Sequence, residues 1–456
     1  MTLIKKGGCL SKTRSWCYVC FLVHINGGNL MVNNESLKEY YKYDVFAFLL
    51  GFGGTVWGGM TYFLGIPVAF LVFLNASSFQ IGLITAIFWA GFAFPQIWAA
   101  YASESMAIKK RFIAWVLLLS SLGFLVAGIY IAVTGAVNQS LSIWLFLILF
   151  AWACVLGGLY IPANFTLLFK IIPSLRLGQL LGIMFAIQFG GIFVSGFAIS
   201  TINRSFAEPM NYAVLFILTF FITIVDCLVM FALSEPEGEA VKSAPSLGAY
   251  IGKLITIYRT DKLFSKFIVG KWLMSGHYVV MAFLFYFFLQ ERGIGSAYSA
   301  WPSALNGLGL FIGGWTITKI ADVYGPKYML ITSQIIAIIY TLMAWFIPST
   351  GIFLFIVAFI ITGLAQISDN VGYTNMSLFC CPTVDKSTYV AAVNIGIILP
   401  MIFLPMIMGK LMDWGLFGFN GTFAISIVMM LAAIIYILTV VENPKAYVEM
   451  KSAVKQ

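Results

Sequence analysis

The sequence predicts an all-α membrane protein in which twelve transmembrane helices form two pseudo-symmetric bundles of six. The composition is 61% hydrophobic and 9% charged, whereas a soluble protein carries about 25% charged residues. Twelve apolar runs reach the roughly 20 residues that a helix needs to cross a bilayer. One polar stretch divides these runs six and six. The runs are continuous rather than alternating, which excludes the strands of a transmembrane β-barrel.

The twelve apolar runs are numbered here as spans 1 to 12. They cover residues 45–74, 79–102, 112–134, 143–169, 177–201, 209–233, 267–290, 298–318, 328–348, 351–378, 388–412 and 420–441. The predicted domains are an N-terminal tail, a first bundle, a linker, a second bundle and a C-terminal tail, over residues 1–42, 43–233, 234–266, 267–441 and 442–456. Apolar residues at helical spacing follow the polar start of the linker, which predicts an amphipathic helix on the membrane surface.

The distribution of Lys and Arg predicts the orientation of the chain. Cytoplasmic connections of membrane proteins are enriched in these residues. The connections after spans 2, 4, 6, 8 and 10 hold Lys109, Lys110, Arg111, Lys170, Arg176, Lys242, Lys253, Arg259, Lys262, Lys266, Lys319, Lys327 and Lys386. The opposite connections hold Arg204 and Arg292, with Lys410 near a helix end. We therefore expect a multi-pass protein of the cell membrane with both termini in the cytoplasm. The net charge of +9 follows from this bias, and we expect no nucleic-acid partner.

The first 30 residues differ from the rest of the chain. Lys5 and Lys6 precede a short apolar run, residues 16–25, in a pattern that faintly resembles a signal peptide. Cleavage there would place the following tail outside, against the charge bias. We therefore hypothesise that Met31 is the true start and that residues 1–30 are either not native or a disordered tail. The seven cysteines form no disulfide framework or metal motif, and no cofactor is expected.

An internal repeat relates the two predicted bundles. The window from Phe150 to Pro173 in span 4 aligns without a gap with the window from Phe359 to Pro382 in span 10. The connections after spans 2 and 8 each carry an acid at a helix end followed by basic residues. The acids are Glu104 and Asp322. An acid in such a turn can pair with basic residues or face the N-terminus of a neighbouring helix.

With these features the chain resembles the major facilitator superfamily over residues 40–445. The family pattern after spans 2 and 8 is Gly-x-x-x-Asp-Arg-x-Gly-Arg-Lys. Asp322, Gly325 and Lys327 match it, whereas other residues stand at the remaining Gly and Arg positions of the second copy. The resemblance implies a cavity lined by spans 1, 4, 7 and 10, with a solute site near the membrane midplane. It also implies a cytoplasmic gate formed by Glu104, Asp322, Gly325 and Lys327.

Two ionisable residues lie deep in the predicted cavity-lining spans. Asp369 in span 10 and His277 in span 7 are each about ten residues from the cytoplasmic helix end, or roughly 15 Å deep. Charged groups inside the membrane are costly and usually functional. We predict that they form the polar centre of the site and that Asp369 takes up and releases a proton. The alternative is a structural Asp369 satisfied by Ser368 or Asn370. Lys271 is nearer the interface, where it can snorkel, and we expect a topology or gate residue there rather than a ligand; the alternative is that it serves an anionic solute.

Further candidates for solute contacts are polar and aromatic residues in the same region. They are Trp57, Tyr62, Tyr160, Asn164, Gln188, Asn370, Tyr373 and Asn394. Amides donate and accept hydrogen bonds and aromatic rings stack on apolar faces, which suits hydroxylated solutes. The alternative for any single amide is a hydrogen bond between helices, of about 0.6 kcal/mol. Asp226 in span 6 is expected to serve helix packing.

The predicted function is secondary active transport of a small, neutral, sugar-like solute by alternating access, driven by protons. No nucleotide-binding motif is present in the sequence. A uniporter or exchanger, or an exporter of drugs or metabolites, is the alternative of the same fold. A non-transporting receptor or scaffold is the alternative of another class. The sequence holds two histidines and no paired nucleophile and base, so we do not expect an enzyme. We expect a monomer whose partners are the solute, the proton and the lipid bilayer.

Overall fold

The computed structural model describes residues 62–104, 106–171, 177–232, 235, 247–317, 319–346, 352–380 and 386–443. Within these ranges the regular structure is helical throughout. The all-α prediction is therefore confirmed. The two predicted tails, most of the first half of the linker and most of span 1 lie outside the described residues, as does the hypothesis about residues 1–30.

Six helices represent spans 1 to 6. They are α1 (Ile66–Phe73), α2 (Ser78–Glu104), α3 (Lys110–Thr134), α4 (Gln139–Ile171), α5 (Leu177–Ser205) and α6 (Met210–Ala232). α1 is the end of span 1. The other five helices begin and end close to the predicted bounds, because each apolar run is bounded by polar or turn residues that leave the membrane.

Nine helices follow in the second part of the chain. They are α7 (Leu247–Thr260), α8 (Lys262–Met274), α9 (Gly276–Glu291), α10 (Trp301–Thr316), α11 (Lys319–Tyr324), α12 (Pro326–Phe346), α13 (Ile352–Cys380), α14 (Lys386–Asp413) and α15 (Phe419–Val440). α7 is the predicted amphipathic linker helix, and it buries Leu254 and Ile257. α8 and α9 together form span 7, and α10 and α12 to α15 form spans 8 to 12.

The helices show the properties of a multi-pass membrane protein. Ten segments of the described chain are long and apolar enough to cross a bilayer, with α8 and α9 counted as one. α10 has 16 residues, and span 1 is described only at its end. Large apolar side chains such as Val133, Phe353 and Trp152 are exposed on the outer surface. Exposed apolar surface of this extent belongs in lipid rather than water.

Span 7 is interrupted at Ser275, which the sequence prediction did not include. The hydroxyl of Ser275 donates a hydrogen bond to the carbonyl of Trp272. The next residue, Gly276, lies against α15, where an added Cβ would be 2.6 Å from the carbonyl oxygen of Ser426. The span also begins earlier than predicted, because the side chain of Asp261 caps α8 by accepting from the backbone N–H of Phe264 at 2.9 Å.

α13 is held against α10 by direct backbone contact. A Cβ on Gly363 would lie 2.1 Å from the carbonyl oxygen of Asn306, and one on Gly309 would lie 2.0 Å from that of Ile360. Beside this contact, Asn306 Nδ2 donates to Thr362 Oγ1 at 3.0 Å. Small residues let membrane helices approach this closely. The crossing fixes the position of α13, which carries Asp369.

Two helix pairs make the most extensive contacts between the first and second sets of six spans. α14 packs along α2, and α10 packs along α5. Ala86 and Ala93 of α2 form a small apolar cluster with Ile398 and Ile402 of α14. The division into two separate bundles stays a prediction, but these two pairs are the contacts that bundles moving against each other would have to change.

Replacing Gly363 by alanine should destabilise the protein. Overpacking of a tight contact costs about 1–3 kcal/mol, and here the added methyl meets backbone that cannot rotate away. Thermal unfolding of the purified protein in detergent measures the effect. Gly248→Ala in α7, where no atom lies within 4 Å of the new Cβ, is the matched control and should unfold at the original temperature or slightly above it. Equal unfolding temperatures for the two variants would contradict this packing.

Candidate functional site

A buried ion pair between Lys271 and Asp369 is the centre of the candidate site. Lys271 Nζ lies 2.5 Å from Asp369 Oδ1 and 2.6 Å from Oδ2. Lys271 is 3% exposed and Asp369 is 0% exposed. Lys271 is on α8 and Asp369 on α13, so the pair connects spans 7 and 10. Burying two charges is costly, and removal of either partner leaves the other uncompensated.

Two tyrosines complete the surroundings of the pair. Tyr278 donates its hydroxyl to Asp369 Oδ2 at 2.6 Å. Tyr278 follows Lys271 by seven residues, so both side chains project from the same face of span 7. Tyr373 follows Asp369 by one helical turn, and its ring centroid lies 5.2 Å from Lys271 Nζ. The ammonium group therefore has a carboxylate on one side and an aromatic face on another.

Residues from spans 1 and 2 bring the first half of the chain to this site. Gln366, one turn before Asp369, donates its amide to the hydroxyl of Tyr62 at 2.9 Å. The ring of Trp89 on α2 meets that of Tyr278 edge-on, with centroids 5.3 Å apart. Spans 1, 2, 7 and 10 thus meet around the ion pair.

Four buried polar atoms of residues at this junction, or predicted to contact the solute, have no hydrogen-bond partner among the described residues. They are Trp89 Nε1, Asn164 Oδ1, His277 Nε2 and Gln366 Oε1. Buried polar atoms in native proteins are usually satisfied by protein or water. The indole N–H of Trp89 is a donor, and the amide oxygens of Asn164 and Gln366 are acceptors. These groups are able to bind the hydroxyl groups of a solute.

His277 is directed to a different partner from the one predicted. Its Nδ1 lies 3.1 Å from the hydroxyl of Tyr340 on α12. Tyr340 also donates to the backbone carbonyl of His277 at 3.3 Å. His277 is fully buried next to Tyr278, so it lies beside the ion pair without bonding to it.

The prediction that Lys271 snorkels to the interface is wrong. Because α8 begins at Lys262, Lys271 is nine residues into the helix, or roughly 14 Å from its end. Asp369 compensates its charge there. The alternative of Asp369 satisfied by a neighbour on its own helix is also wrong for Ser368, whose hydroxyl donates to the carbonyl of Leu364. The capping signal of Asp261 was the sequence feature that could have placed Lys271 at this depth.

The remaining predicted residues do not join the pair or lie outside the described part. In the described part of the chain, the side chain of Asp369 bonds to Lys271 and Tyr278, and not to the remaining polar candidates; these are Tyr160, Asn164, Gln188, Asn370 and Asn394. Trp57 and the side chains of Glu104 and Asp322 lie outside the described residues. The solute-binding roles of all these residues stay predictions.

Two of the predicted gate residues, Gly325 and Lys327, have a described geometry in the turn after span 8. Gly325 has a φ of 100°, a left-handed conformation that favours glycine. Lys327 Nζ donates to the carbonyl of Leu438 at 3.0 Å. Lys327 therefore contacts the last turn of α15, where a cation is favourable.

Comparison with known families assigns the chain to a class. The model of the Major Facilitator Superfamily matches residues 45–350 and 275–455. The chain belongs to the Major Facilitator Superfamily, a family of secondary transporters, and the resemblance found in the sequence is confirmed. No curated protein sequence matches the chain.

Solved transporter structures share the fold. A variant of the nucleoside transporter NupG has a TM-score of 0.69 at 13% identity, over 87% of this chain and 99% of its own. A D-xylose-proton symporter has a TM-score of 0.67 at 13% identity, over 89% and 99%. A variant of the E. coli fucose:proton symporter FucP has a TM-score of 0.57 at 14% identity, over 88% and 98%. At these identities the likeness shows the fold alone.

Single replacements in the ion pair should destabilise the protein more than the double replacement. Lys271→Met or Asp369→Asn leaves one buried group uncompensated, and breaking a buried pair costs about 3–5 kcal/mol. The double variant removes both charges and should recover part of the loss. Thermal unfolding of the two single variants and the double variant forms a double-mutant cycle. Additive losses would show that the two side chains are independent.

Proposed function

We propose that this protein is a proton-coupled secondary transporter of a small, neutral, hydroxylated solute, working by alternating access. The observation that supports it best is the buried pair of Lys271 and Asp369 at the junction of spans 1, 2, 7 and 10. Ionisable groups at this depth mark transport sites and proton relays in membrane proteins.

The proton step follows from the electrostatics of the pair. Burial disfavours a charged carboxyl, and the neighbouring ammonium favours it. A proton delivered to Asp369 replaces the neutral pair by a single buried cation on Lys271, which is unfavourable in a dry site. Opening the site to water relieves that cost. Protonation and conformation are therefore linked, as population shift by a ligand requires.

The charge and lining of the site favour a neutral solute. Lys271 and Asp369 cancel each other, so the pair offers no net charge to an ionic solute. Trp89 Nε1 and Gln366 Oε1 provide an unsatisfied donor and an unsatisfied acceptor. The rings of Tyr62, Trp89 and Tyr278 supply apolar faces. This combination matches sugars and nucleosides, which are the solutes named for several transporters of the same fold.

An exchanger of the same fold is the second candidate. The observation that favours it is the close contact of Lys271 with both oxygens of Asp369, because this pair has no net charge without a bound proton. Such a protein would exchange solutes across the membrane without a proton. Transport measured with and without a proton gradient distinguishes the two.

Asp369→Asn should abolish proton-driven accumulation and leave exchange intact. The amide keeps the shape of the side chain but binds no proton. A thermal-shift screen of sugars, nucleosides, amino acids and drugs on the purified protein first identifies a solute. Uptake of that solute into proteoliposomes is then measured with an imposed proton gradient, and exchange is measured without one. Glu291→Gln, an exposed acid at the end of α9, is the control and should accumulate normally. Unchanged accumulation by Asp369→Asn would contradict the proton role.

Trp89→Phe should weaken solute binding without uncoupling transport. The substitution keeps an aromatic ring against Tyr278 but removes the buried indole N–H, and one lost hydrogen bond costs about 0.5–1.5 kcal/mol. We expect KM to rise roughly twofold to tenfold while the accumulation ratio at saturation is kept. Trp98→Phe, at a side chain exposed on the outer surface, is the matched control. An equal KM for both variants would remove Trp89 from the solute site.

A further inference from the structure

The start of α2 is capped by a residue of α14. Asp413, the last residue of α14, accepts from the backbone N–H of Ser78 through Oδ1 at 2.8 Å and from that of Phe79 through Oδ2 at 3.0 Å. These are the first two amides of a 27-residue helix. A carboxylate at this position satisfies free N–H groups and interacts favourably with the helix dipole. It joins residues more than 330 positions apart.

The rest of this helix end is satisfied locally. Ser77 and Gln80 form a reciprocal capping box, with Ser77 N donating to Gln80 Oε1 at 2.9 Å and Gln80 N donating to Ser77 Oγ at 3.3 Å. The helix therefore keeps a cap of its own without Asp413. The contact with Asp413 is additional, and it is the part that depends on α14 being in place.

Below this contact the two helices touch through their backbones. A Cβ on Gly409 would lie 2.3 Å from the carbonyl oxygen of Ser78, and one on Gly82 would lie 2.3 Å from that of Pro405. Lys410, one turn before Asp413, lies over the ring of Phe79 at 5.8 Å. The two glycines permit the close approach of α2 and α14. The carboxylate of Asp413 lies at the end of this contact, beside the first residues of α2.

A second contact closes the same end of the molecule between α5 and α10. Asn203 Nδ2 donates to Ser299 Oγ at 3.0 Å, and a Cβ on Gly196 would lie 2.6 Å from Ala304 Cβ. Both contacts lie at the end predicted to be external. Each joins one of the first six spans to one of the last six.

We propose that Asp413 is a latch that holds the predicted external end closed by binding the first amides of α2. The proposal rests on the alternating access proposed above. When this end opens, α2 and α14 separate, and both the carboxylate and the two N–H groups pass to water. Asp413 is exposed, so the contact is weak enough to break and form again in each cycle.

Replacement of Asp413 by alanine, which removes both acceptor oxygens, should shift the full-length protein towards the open state at this end. Loss of a capping carboxylate corresponds to roughly a threefold to tenfold change in the ratio of open to closed protein. Hydrogen exchange measured by mass spectrometry follows two segments, residues 77–82 at the latch and residues 299–305 at the α5–α10 contact. Both should exchange roughly threefold to tenfold faster. Asp413→Glu, which keeps a carboxylate, should restore most of the protection.

The hydrogen exchange of residues 299–305 distinguishes a latch from a simple helix cap. Faster exchange in residues 77–82 alone would mean that Asp413 only caps α2, and unchanged exchange in both would mean that it contributes nothing; either result overturns the proposal. Glu291→Gln removes an acid from the same predicted face and should leave both segments unchanged. Gly409→Leu places a side chain between the helices and should open both segments even with Asp413 present. Exchange is measured without solute, so a failure of proton coupling does not affect this outcome.

Discussion

The buried pair of Lys271 and Asp369 is the interaction on which the site depends. A charged group in the membrane interior has to be compensated, and each of these two residues is the partner of the other. The structure supports the pair from several directions. Ser275 and Gly276 interrupt span 7 between Lys271 and Tyr278, and the glycine contact between α10 and α13 fixes the helix that carries Asp369. These features hold the two charges together within an apolar bundle.

In the proposed mechanism, the same pair allows a site without net charge to respond to a proton. As long as Asp369 is ionised, the centre of the molecule has no net charge. A single proton on Asp369 leaves Lys271 as an uncompensated buried cation. That state becomes less unfavourable only when water reaches the site. In the same proposal, one end of the molecule is closed while the other is open, and the open end determines from which side of the membrane the proton comes. In this proposal the latch at Asp413 acts at one end of the molecule, and the predicted gate at Glu104 and Asp322 acts at the other.

The strong contact of this molecule lies in its buried centre, and the weaker contact lies at its exposed end. The ion pair is dry and its removal is costly, whereas the contact of Asp413 with α2 is exposed and modest in energy. A transporter needs both. In the proposed cycle the helix contacts that position the pair are kept, and the contacts at the ends break and form again. Glycines at positions 82 and 409 give close contact between the helices without interlocking side chains.

Composition, apolar periodicity and charge pattern were enough to predict the class, the spans, the linker helix and the family. Lipid allows a polypeptide to cross it only with its backbone bonds satisfied internally, so long apolar runs predict helices at nearly their final bounds. Asp369 was found because a carboxylate in such a run is conspicuous. Lys271 was not recognised as its partner. A lysine near a predicted helix end indicates topology, and only the start of α8 at Lys262 shows that Lys271 lies deep in the span. It took the folded structure to show that Lys271 and Tyr278 meet Asp369, that Gln366 meets Tyr62, and that Asp413 reaches α2. Those contacts join distant helices, and no local pattern specifies which helix faces lie together.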